Sequence, residues 1–123
     1  MTLHDAKAWL WDNLGWYDTK VWLGTSLGWS NDLLHVTLGL VMFLAIAALL
    51  RRRRHGTLTA FAAVAVAQTL NEILDWRTFV YWKQPLDWAE VARDFALTLT
   101  LPAALLLVRK IRDFLRKRRR DTP

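Results

Sequence analysis

The chain contains no cysteine. That absence removes disulfides, thiolate nucleophiles and cysteine-based metal centres together. Nor does any stretch carry the fixed spacing of a known zinc or nucleophile signature. Residues 1–28 lack the apolar core of a cleavable signal peptide and carry Asp5, Asp12 and Asp18. This segment is therefore expected to stay on the mature protein. The strongly basic C-terminal stretch holds a single aromatic, Phe114, rather than the interleaved aromatics that stack on bases, so nucleic acid is not the expected partner.

Long apolar runs and clustered charge are what the sequence does have. Hydrophobic residues make up 54% of the 123 positions, yet mean hydropathy is only +0.12. Arginine blocks dilute the apolar runs, a pattern expected of a membrane protein with charged loops. Of the net charge of +6, most comes from two places. Arg51, Arg52, Arg53 and Arg54 form the first block. Arg109, Lys110, Arg112, Arg116, Lys117, Arg118, Arg119 and Arg120 form the second.

Three transmembrane helices are predicted, over about 31–50, 57–77 and 87–108, together forming one domain at 31–108. The first has Ser30 or Asn31 to cap it and no charge from Val36 to Leu50. Twenty residues at about 1.5 Å each give roughly 30 Å, the thickness of bilayer hydrocarbon. The second is strongly apolar over 58–67 and then carries Gln68, Asn71, Glu72 and Asp75. The third carries Glu90, Arg93 and Asp94 early, with Pro102 as a predicted kink and Thr98 and Thr100 available to the carbonyls it frees. Residues 109–123 read as a basic tail whose helix leaves the membrane along its cytoplasmic surface.

Orientation follows from the positive-inside rule, which puts both basic blocks in the cytoplasm and the N-terminus outside. The expected location is a cytoplasmic (bacterial-type inner) membrane, with the arginines touching anionic lipid headgroups. In this topology Trp9, Trp11, Trp16, Trp22, Trp29, Trp76, Trp82 and Trp88 all fall at or beyond the outer interface, with Tyr17 and Tyr81. Residues 1–30 therefore read as a Trp-rich amphipathic interfacial segment, broken at Gly15, Gly24 and Gly28. It serves as an anchor, a lid over a site below, or a docking surface.

The polar residues inside the spans also gather in the outer half. His35 lies about one turn below the outer end of the first helix, Glu72 and Asp75 near the outer end of the second, and Asp94 about two turns into the third. Gln68, Glu72 and Asp75 share one helical stripe. Ionisable groups at such depth face a protein interior or a wet cavity. Three chemistries suit them. His35, Glu72 and Asp94 are candidate ligands for a divalent cation. A pair of neighbouring carboxylates can act as acid or base beside His35. Arg77 or Arg93 can hold a lipid phosphate. The plainer alternative is that these groups hydrogen-bond between helices and fix the bundle.

Asn31-Asp32-Leu33-Leu34-His35 resembles the first histidine-bearing helix of the VanZ-like membrane proteins. The segment 68–77, with Glu72 and Arg77, is similar to that family's glutamate segment, and 87–94, with Asp94, to its aspartate segment. The resemblance implies an envelope-related or lipid-related role rather than a particular reaction. The expected function is thus an outer-facing polar site for a lipid headgroup, cation or proton. The alternatives are a noncatalytic subunit of a larger membrane complex or homo-oligomer and, ranked lower, a holin-like pore former.

Overall fold

The computed structural model describes residues 15–120, and these are all-α, with no strand among them. Four helices follow in order: α1 (Trp16–Leu27), α2 (Asn31–Leu49), α3 (Gly56–Tyr81) and α4 (Trp88–Arg120). α2, α3 and α4 are long and apolar enough to cross a membrane. No more than 22% of each apolar window is buried inside the bundle. Leu38, Val41, Leu44, Val66, Leu70 and Leu107 point outward. Such a surface would aggregate in water but is matched by lipid tails.

Local chemistry explains the helix ends. Ser30 caps α2 by accepting from the Leu33 amide at 3.2 Å. The Asp87 carboxylate accepts from the Ala89 and Glu90 amides at 2.9 and 3.3 Å, capping α4. Gly28 ends α1 in the left-handed region, at φ 66°. Its amide reaches the Thr25 carbonyl and that of Trp29 reaches Gly24, the paired bonds that close a helix C-terminus. Lys83 does the same for α3 at φ 55°, with bonds to Val80 and from Gln84 to Phe79.

Two boundaries differ from the sequence expectation. α3 continues to Tyr81, past the expected end near residue 77. The helix expected for the basic tail is not separate from the third span: α4 runs unbroken past 108 to Arg120, because nothing between Val108 and Arg120 breaks a helix and Lys and Arg are good helix formers. Gly24 is no break either: it lies buried inside α1, against Leu34 and the Trp29 carbonyl. Gly15 and Gly28 do flank α1. Trp9 and Trp11 lie outside the described residues.

The bundle has two unlike ends. Towards the arginine blocks, Phe43, Ala60 and Val64 form an apolar core flanked by Ile46, Ala47, Phe61 and Leu99. Towards α1 the buried stripe of α3 turns polar, from Ala60 and Val64 to Gln68, Asn71 and Asp75. α4 contributes Asp94 and Thr98 at the same level, and α2 contributes His35.

Candidate polar site

α1 is bound across this polar end rather than merely resting there. The Trp16 indole N–H donates to Asn71 Oδ1 at 2.8 Å. The Lys20 ammonium pairs with Asp75 Oδ2. Tyr17, Phe79 and Trp82 meet edge to face, with ring centroids 5.4 to 6.3 Å apart. Trp16, Lys20 and Gly24 are spaced i, i+4, i+8, so one face of α1 makes these contacts.

From Trp16 a chain of hydrogen bonds crosses all four helices, and its direction is fixed by the groups in it. An indole only donates, so Asn71 presents its oxygen to Trp16 and its amide nitrogen to Glu72 Oε1, at 3.1 Å. Gln68 also donates to Glu72 Oε1, at 2.5 Å. Its own oxygen is then left to accept from the Thr98 hydroxyl at 3.0 Å. Having given its proton to Gln68, Thr98 can only accept from His35 Nδ1, also 3.0 Å away. The network therefore selects the His35 tautomer protonated on Nδ1. This corrects the expected role of the two threonines. Thr98 serves the side-chain network, and Thr100 donates to the Ala96 carbonyl, not to the carbonyl that Pro102 frees.

The other ring nitrogen of His35 faces Asp94, with Nε2 3.2 Å from Oδ2. The distance suits a hydrogen bond but the alignment does not, so Nε2 has no hydrogen-bond partner. Asp94 Oδ1 and Asp75 Oδ1 are likewise buried without a partner. Both residues are more than nine-tenths buried, at 5% and 7% exposure.

Both aspartates open onto a cavity of about 600 Å³ between α1, α3, the 85–87 turn and the start of α4. Its walls include five carboxylates (Glu72, Asp75, Asp87, Glu90 and Asp94) and one lysine, Lys20. Tyr17, Trp29 and Phe79 add an aromatic side. A second, mostly apolar cavity of about 210 Å³ adjoins it, sharing Lys20, Asn31 and Leu34. It runs down between α2 and α3 past Leu38, Met42, Val64 and Ala67.

The sequence candidates are thus distributed unequally. His35, Gln68 and Glu72 are joined in the hydrogen-bond chain, and Glu72, Asp75 and Asp94 line the larger cavity. Arg93 turns away, pairing with Asp32 at the exposed surface. Arg77 lines neither cavity. The expected phosphate-holding arginines therefore do not reach this site. Among the described residues, no group of three His, Asp or Glu is arranged to hold a metal ion. His35 and Asp94 face each other, and Glu72 is engaged by two amides, so the three candidate ligands do not converge. Lys20 was not anticipated from sequence. Its signal is the Trp16, Lys20, Gly24 stripe.

No protein-family model matches the chain, and neither the curated proteins nor the solved structures contain a match to it.

Proposed function

We propose that this is a protein of the cytoplasmic membrane, arginine blocks inside and α1 outside, whose outer chamber binds a cationic group rich in N–H donors. One observation carries this reading: Asp75 and Asp94 line a cavity with five carboxylates on its walls, and each keeps one buried oxygen without a hydrogen-bond partner. A buried acceptor without a donor is costly, by about 1–3 kcal/mol and more for a charged group. A ligand that donates to both removes that cost. Lys20 already holds an ammonium against Asp75, which shows the kind of group such walls accept.

The same features argue against a ligand that is anionic only, such as free phosphate, since among the described residues the one cation on the wall, Lys20, is committed to Asp75. The resemblance to VanZ-like proteins rests on His35, Glu72, Arg77 and Asp94, all but Arg77 belonging to this polar end, and it adds an envelope setting.

A titration of the purified chain tests the proposal, followed by tryptophan fluorescence because Trp29 lines the chamber. Methylammonium should give a saturable change that inorganic phosphate does not, and Asp75→Asn and Asp94→Asn should abolish it. Saturation by phosphate in preference to methylammonium would overturn the reading.

A further inference from the structure

The apolar cavity beside the chamber gives the cation a body. Leu38 and Met42, on its wall, are 47% and 38% exposed on the outside of the bundle. The groove is therefore open sideways, towards the surface that faces lipid. It is also aligned with the membrane. Asp75 and Val64 lie eleven residues apart on α3, so the path from chamber to groove floor is about 16 Å along the helix. That is about half of the roughly 30 Å hydrocarbon core, the depth of one leaflet. Shared walls at Lys20, Asn31 and Leu34 join the two spaces.

We propose that chamber and groove together hold one membrane lipid whose headgroup ends in a primary ammonium, with the ammonium among the carboxylates and an acyl chain along the groove between α2 and α3. This rests on the chamber being a cation site. The choice of a primary ammonium follows from hydrogen bonding. Asp75 Oδ1 and Asp94 Oδ1 need donors, and a primary ammonium brings three N–H groups. A quaternary ammonium brings charge but no N–H, and a glycerol headgroup brings hydroxyls but no positive charge to set among five carboxylates.

Lys20 then has a second part to play. Its ammonium occupies Asp75 Oδ2 from α1, so it competes with the lipid headgroup for the same carboxylate. Removing it should strengthen lipid binding, an outcome that misfolding cannot imitate.

The test uses the full chain in phosphatidylcholine nanodiscs doped with phosphatidylethanolamine or phosphatidylglycerol, with bound lipid counted by native mass spectrometry. One phosphatidylethanolamine per chain should be retained, about tenfold more firmly than either other lipid, the scale of one charge-assisted hydrogen bond. Asp94→Asn should lower retention about tenfold, Ala67→Trp should do so by filling the groove, and Lys20→Ala should raise it by a similar factor. Equal retention of phosphatidylcholine, a preference for phosphatidylglycerol, or no rise with Lys20→Ala would each overturn the lipid assignment. If methylammonium still binds while no lipid is preferred, the cation site stands and the lipid does not. If methylammonium fails as well, both are lost.

Discussion

The carbonyl oxygen of Thr98 lies where a side chain at residue 39 would begin: a Cβ built on Gly39 would stand 2.4 Å from it. Pro102, four residues along α4, has no N–H to offer that carbonyl. Glycine on α2 and proline on α4 thus act together, one leaving room for the oxygen that the other leaves without its helical partner. Close approach of the two backbones at this level is what brings His35 within reach of both Thr98 and Asp94.

Gly39→Ala should therefore force α2 and α4 apart. We expect a loss of about 1–3 kcal/mol, the usual cost of overpacking, read as a lower melting temperature in detergent. Gly24→Ala meets its neighbours at 3.1 Å, one of them a movable Leu34 methyl, and should cost less. Equal effects at the two sites would contradict this account.

Thr98→Val keeps the shape of residue 98 and removes its hydroxyl. His35 Nδ1–H and Gln68 Oε1 then lose their shared partner inside the bundle, at an expected cost of about 1–3 kcal/mol. Nitrogen-15 spectra of the unaltered chain should show His35 protonated on Nδ1. A proton found on Nε2 alone would break the derived direction of the chain.

Trp16→Phe retains an aromatic ring but loses the N–H that binds Asn71. The docking of α1 should weaken by about 1 kcal/mol. Amide hydrogen exchange reports it, with faster exchange over 16–27 and little change in the apolar core around Phe43 and Val64. Unaltered exchange in α1 would show that the indole bond contributes nothing to its docking.

Asp87→Ala removes the cap of α4 and should cost about 1 kcal/mol. Asp87→Asn and Asp87→Ser keep an acceptor oxygen and should retain most of that stability. The comparison separates capping from charge, because asparagine and serine restore only the former.

Orientation can be read without background, since the chain has no cysteine of its own. A maleimide that cannot cross the membrane should label Gln84→Cys in intact cells and reach His55→Cys only after lysis. The reverse pattern would invert the proposed topology.

Sequence alone made the helices legible because apolar length and hydration cost act along the chain, one residue after another. The α2 start at Asn31 and the α4 start near Asp87 were legible as well; the capping role of Asp87 came only with the structure. That the basic stretch is helical was legible too; that it continues the third span without a break was not, because the change from apolar to charged residues marks a change of solvent and says nothing of the backbone. Within the site, the stripe of Gln68 and Asp75 was readable from its spacing on α3. Asn71 belongs to that stripe but was passed over as one more polar residue. Arg93 misled because a cation at the right depth says nothing of direction, and its partner, Asp32, is on another helix. Lys20 was out of reach for a related reason. Its pairing with Asp75 spans 55 residues and exists only once α1 has folded back across the bundle.

The unbroken α4 also has a mechanical side. As a single helix of 33 residues it is a rod about 50 Å long. Asp94 stands near one end, and residues 110–120, all exposed, stand at the other. Pro102 is its natural fulcrum, about 27 Å from Arg120, so a tilt of about 10° there carries the tip through roughly 5 Å. The polar end of the bundle and the basic stretch are thus two ends of one rod, not separate pieces.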